Sequence, residues 1–205
     1  MNNLATPGGI PPGFSSPVHD AQATFRMLLE AMSRPGRRLP LPARLGMPPD
    51  LPEAALAVLL TLADFDTPVW LGDFPCRPVL AEFLTFHCGC PIAEFPGTAT
   101  FGLVPVDTAS GLLAAFHPGL SEYPDRSATI VIVAESLAAG NGAMIQGPGI
   151  KGSAELRIAG TTREFWECAT ANSVRFPQGV DLIFVGGDEV VCLPRSATVR
   201  EVLCT

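Results

Sequence analysis

Thr129–Ala134 reads TIVIVA, a β-branched run closed by alanine. A strand of this kind has no polar face, so the fold must cover it on both sides. Helical patterns elsewhere in the chain can supply that cover. Pro52–Asp64, PEAALAVLLTLAD, is apolar nearly all round and predicts a helix buried on most sides. Ser16-Pro17 predicts a helix start, a hydroxyl cap followed by proline in the first turn. Ala21, Phe25, Leu28, Leu29 and Met32 come next at helical spacing and form one apolar stripe. Arg34-Pro35-Gly36 ends that helix, and a proline-rich connection runs on to Pro52.

Shorter elements alternate after that. Pro68–Leu71 reads as a strand, Pro78–His87 as a helix ending at Gly89, residues 98–104 as a strand and Gly111–Phe116 as a short helix. Met144–Gln146 and Ala154–Ile158 look extended. Residues 163–173 form a helix with Thr162 as its cap, and residues 181–194 read as a β-hairpin turning at Gly186-Gly187-Asp188. The pattern predicts an α/β fold: a single layered domain over residues 17–205, with a mixed β-sheet flanked by helices, preceded by a flexible tail over residues 1–16.

Of 205 residues, 47% are hydrophobic and 16% charged, which fits a chain that buries much of itself or hides part of its exterior against partners. The longest apolar run is far shorter than the roughly 20 residues a membrane helix needs, so no membrane role is expected. The N-terminus lacks the basic region and apolar block of an export signal, which predicts a cytoplasmic protein with its six cysteines reduced. A formal charge of −7 argues against general nucleic-acid binding. Arg26, Arg34, Arg37, Arg38 and Arg44 fall close together and read as a solvated connection that could also hold phosphates or an acidic partner.

Four motifs invite a chemical reading. Gly147-Pro148-Gly149-Ile150-Lys151-Gly152 spells G-x-G-x-x-G, yet residues 153–158 alternate like a strand, where a dinucleotide loop needs a helix. A structural turn is favoured, with Gly147, Gly149 and Lys151 as candidates for a weak anion nest or partner contact. Arg195 is a further candidate of the same kind. Asp64-x-Asp66 spells the core of a magnesium-dependent phosphohydrolase, with Lys151 and Asp188-Glu189 castable as its other parts. A D-x-D of that kind should end a strand, but here it comes after a helix. His87, Cys88 and Cys90 are zinc-type ligands, though adjacent His87 and Cys88 cannot easily face one ion, and no metal site is expected. Lys151 is the single lysine against twelve arginines, so its uniqueness is weak support for a pyridoxal phosphate site.

Five blocks taken in order carry a resemblance: residues 25–36 (FRMLLEAMSRPG), 59–71 (LLTLADFDTPVWL), Phe86-His87, 147–150 (GPGI) and 176–199. Together they resemble the H subunit family of bacterial carbon–phosphorus lyase. The resemblance implies a non-autonomous subunit of a transferase or lyase complex in phosphonate catabolism. It implies G, I and J subunits as partners and a homodimer when isolated. The implied role is in ATP-dependent formation of α-D-ribose 1-methylphosphonate 5-triphosphate with release of adenine. The implied fold is similar to pyridoxal-phosphate-dependent transferases without the cofactor site, and no catalytic residue carries over. The alternatives are an autonomous phosphohydrolase using Asp64 and Asp66, and a pure scaffold.

Overall fold

The computed structural model describes residues 9–47 and 51–203. The TIVIVA run forms β4 (Thr129–Val133). It lies parallel to β3 (Phe101–Pro105) on one side and to β7 (Asp181–Gly186) on the other. β2 (Val69–Leu71) extends the parallel set beyond β3. β8 (Glu189–Leu193) folds back antiparallel on β7, and β1 (Leu39–Pro40) pairs antiparallel with β8. The resulting six-stranded mixed sheet runs in the order β1-β8-β7-β4-β3-β2.

Successive residues of each strand serve opposite layers, as the pleat requires. Val131, Ile183, Val185, Val190 and Cys192 face the layer built by α1 (Pro17–Ser33), α2 (Glu53–Leu62) and α3 (Arg77–Cys88). Ile130, Ile132, Leu182, Phe184, Val191 and Leu193 face the opposite layer. That layer holds α4 (Ala109–Leu112), α5 (Arg163–Val174) and an antiparallel sheet of β5 (Gly142–Gln146), β6 (Ala154–Arg157) and β9 (Thr198–Leu203), in the order β6-β5-β9. Double cover explains why the central run contains no polar alternation. In α2, all six residues from Ala54 to Leu59 are buried, as its all-round apolar pattern predicts.

α5 begins as expected. Thr162 Oγ1 accepts from the amide of Phe165 at 3.2 Å. One turn in, Trp166 is fully buried, and its indole Nε1 donates to Thr161 Oγ1 at 3.0 Å. Thr162→Ala is expected to cost about 1 kcal/mol, the usual worth of such a cap. A shift of the urea midpoint at unchanged slope will show it.

Several sequence expectations need correction. Ser16 does not cap α1 with its hydroxyl; Asp20 reaches back one turn and accepts from the Ser16 amide at 2.8 Å. The buried face of α1 is Thr24, Met27, Leu28 and Ala31, while Phe25 and Leu29 are 45% and 54% exposed. The helix is apolar on two faces, and periodicity cannot say which one α2 and β8 will cover. Local pattern also gives no sign of β1 and β9. They pair with strands remote in sequence, and β9 completes a second sheet where the pattern predicts one. Of the tail, residues 1–8 lie outside the described residues, as do residues 48–50 and Cys204. Ile10 and Phe14 pack against the helical layer, and His87 Nε2 donates to the Pro11 carbonyl at 3.0 Å. Residues 9–16 are therefore bound to the domain.

Candidate functional site

The Gly147–Gly152 motif connects β5 to its antiparallel neighbour β6, a strand-to-strand turn as predicted. Gly147 and Gly149 have φ of +149° and +81°. Gly147 lies against the backbone of Ser196 and Ala197, and Gly149 against the Ser33 carbonyl at the end of α1. Lys151 is exposed at the tip. Arg195 sits in another place. Its side chain is 19% exposed, and Nη1 donates to the carbonyls of Pro124 (2.7 Å) and Gly179 (3.1 Å) and to the Ser127 hydroxyl. Nη2 lies 3.6 Å from Asp181 Oδ2, and the Arg195 amide donates to Asp181 Oδ1 at 2.8 Å. The guanidinium is committed to joining the end of β8 to the starts of β4 and β7.

The acidic motif closes on itself. Asp64 Oδ1 accepts from the Asp66 amide and from Thr67 Oγ1, both at 3.0 Å, making the turn from α2 into β2. This turn lies at the amino end of β2. Asp188 pairs with Arg44 at 2.7 Å and Glu189 with Arg38 at 3.6 Å, so the late acidic pair serves the arginine-rich connection. Arg37 likewise pairs with Glu30 at 2.7 Å. Such surface pairs contribute little stability. The FHCGC cysteines face each other. Hydrogen bonding to Cys90, then burial, pushes the Cys88 thiol well up; accepting that bond lowers Cys90. The Cys88 thiol donates to the Leu59 carbonyl at 4.0 Å. No group of three His, Cys, Asp or Glu able to hold a metal ion is present among the described residues.

Two clefts open where the parallel strands end. One, of about 610 Å³, is lined by Val133 at the end of β4 and Ala134 just after it, Val185 and Gly186 at the end of β7, and the first turn of α2. Its charges already satisfy one another. Arg44 lies between Asp188 and Glu53, and Glu53 Oε1 accepts the amides of Leu45 (2.6 Å) and Gly46 (2.9 Å). The other, of about 510 Å³, is lined by Trp70, Leu71, Gly72, Asp73, Arg77, Thr108, Gly111 and Leu112. Its floor is held by the Gly72 amide donating to Leu103 O at 2.8 Å. A Cβ on Gly72 would meet Pro105 Cδ at 2.9 Å, so only glycine lets β2 leave the sheet this close to β3. Sequence reasoning passes over Asp73 and Arg77. The available signal is their place where a strand passes into a helix, Asp73 in the short connection and Arg77 as the first residue of α3, a position at which α/β domains bind ligands.

Fold and clefts together define an α/β domain with two clefts at the carboxyl edge of a mainly parallel sheet. The chain belongs to the PhnH family, described as a bacterial phosphonate metabolism protein, whose model matches residues 12–200. It is 36% identical over 183 residues, 89% of this chain and 92% of the relative, to the alpha-D-ribose 1-methylphosphonate 5-triphosphate synthase subunit PhnH of Rhizobium meliloti (strain 1021). It is 31% identical over 183 residues, 87% of this chain and 85% of the relative, to the putative C-P lyase subunit protein HtxG of Stutzerimonas stutzeri.

Proposed function

We propose that this chain is a subunit of the carbon–phosphorus lyase core assembly in phosphonate catabolism. It supports ATP-dependent formation of α-D-ribose 1-methylphosphonate 5-triphosphate with release of adenine. The observation that carries this is the family match across residues 12–200, joined to two relatives that are themselves named as subunits. The surface is consistent with a chain built for partners. Val18, Phe25 and Leu29 are exposed along one stripe of α1, and Val79 and Phe86 along one stripe of α3. Exposed apolar stripes of this kind mark interaction surfaces. On this reading the chain works in the cytoplasm with the G, I and J subunits, forms a dimer in isolation, and shares the fold of pyridoxal-phosphate-dependent transferases without using their cofactor.

Reconstitution tests the role. The partner subunits with ATP and methylphosphonate are expected to release adenine when this chain is present and to lose most of that release when it is omitted. Undiminished release without it refutes the reading.

The autonomous phosphohydrolase gains nothing from the geometry. Asp64 is spent on its own turn, at the sheet edge opposite both clefts.

A further inference from the structure

The chain leaves β2 and β3 in opposite directions. After β2 it passes through α3, whose Leu80, Phe83 and Leu84 pack on the face that holds Leu71 and Leu103. It then returns parallel to β2 at Ile92, bridged to Val69 on the outer side of that strand. After β3 it crosses to the other face, where Ala109 and Leu113 pack with Val104, Ile130 and Ile132, and enters β4 on the inner side. Neighbouring parallel strands whose exits diverge in this way leave a crevice beyond their carboxyl ends, the recurrent ligand position in open α/β sheets. The 510 Å³ cleft stands at that point.

Its two charged side chains, Asp73 and Arg77, are exposed to solvent, while the Thr108 hydroxyl donates to the Pro105 carbonyl at 3.2 Å. Arg77 makes one long hydrogen bond, Nε to the Leu71 carbonyl at 3.3 Å. Among the described residues its guanidinium forms no ion pair, and Asp73 has none either. This contrasts with Arg195, paired with Asp181 in a mostly enclosed site, and with Arg44, paired at the surface with Asp188 and Glu53. An unpaired guanidinium in a concave site is a fork for phosphate or phosphonate oxygens. A carboxylate beside it accepts hydroxyl donors and repels a second anionic group. Trp70 adds an aromatic wall.

We propose that the crevice between the ends of β2 and β3 binds a small phosphorylated sugar, its anionic group on Arg77 and its hydroxyls on Asp73. The ribose half of this assignment rests on the proposed role in the assembly; the anion site rests on topology and on Arg77. The experiment is calorimetric titration of the full-length chain with ribose 5-phosphate, methylphosphonate, inorganic phosphate and ATP.

Ribose 5-phosphate or ATP is expected to bind more tightly than the two sugar-free anions. Arg77→Met is expected to weaken every probe by about tenfold or more, as loss of a charge-assisted contact implies. Asp73→Asn is expected to weaken the ribose-bearing probes alone. Gly111→Phe offers a second route: an added Cβ there meets nothing within 4 Å, so a ring can enter the cleft while the Arg77 residue itself is unchanged. Arg163→Gln, on a surface pair of α5, is the control and should bind like the parent. Failure of all four probes to bind at millimolar concentration, or binding indifferent to both Arg77→Met and Gly111→Phe, overturns the proposal. Binding by a chain that proves dispensable for adenine release would instead refute the role in the assembly and leave the cleft standing.

Discussion

Gly149→Ala is expected to destabilise the domain by about 3 kcal/mol or more, the combined scale of backbone strain and a backbone clash. Two costs coincide at this residue. Its φ of +81° lies in the left-handed region that a side chain disfavours. A Cβ would also stand 1.9 Å from the Ser33 carbonyl oxygen and 2.9 Å from its carbon. Those are backbone atoms, so no rotamer change relieves the contact. The end of α1 cannot retreat cheaply, because the Gly36 amide donates to Cys192 O at 3.2 Å and ties it to β8. The β5–β6 turn must lift from the helix end instead. Gly152 supplies the control. Its φ is +77°, but nothing lies within 4 Å of an added Cβ. Gly152→Ala should therefore cost about 1 kcal/mol, the strain alone. Equal losses for the two variants, measured by urea unfolding, would show that the contact with Ser33 is not what requires glycine.

Arg195→Leu is expected to cost about 3 kcal/mol, because it leaves Asp181 without its charge partner in a mostly enclosed site and strips donors from the Pro124 and Gly179 carbonyls. Both side chains of the pair are 19% exposed, so water replaces the lost partners poorly. Arg195→Lys keeps the charge but not the planar fork, and should recover part of the loss. Adenine release by the reconstituted assembly is expected to track the stability of these variants. An Arg195→Lys chain that is stable, assembles fully and yet supports no adenine release would place Arg195 at the reaction and end its structural assignment.

Much of the architecture is legible in the sequence because short-range physics sets it. TIVIVA has no polar alternation, so it has to lie between two layers. The apolar circumference of α2 has to be buried. Thr162 sits where a hydroxyl can meet the amide of Phe165, three residues on. Gly187-Asp188 between two apolar runs has to turn. The failure of G-x-G-x-x-G as a nucleotide loop is legible for the same reason, since the residues after it alternate as a strand. Wherever sequence reasoning misses, a distant partner decides the outcome. α1 has two apolar faces, and packing selects Met27 and Ala31 over Phe25 and Leu29. β9 exists as a strand because β5, more than fifty residues earlier, offers it an edge.

Periodicity, turn chemistry and ordered blocks are properties of neighbouring residues, so the layered α/β class, the turn at Gly147–Gly152 and the family can be read from the chain without its fold. Which polar groups stay free is a matter of long-range packing. Arg195, Arg44 and Arg77 are indistinguishable as letters. Long-range contacts commit the first to Asp181 and the second to Asp188 and Glu53, while the third is left at a crevice created by the divergent exits of β2 and β3. Whether a charge is satisfied depends on what the fold brings to within 4 Å of it, and no spacing along the chain encodes that.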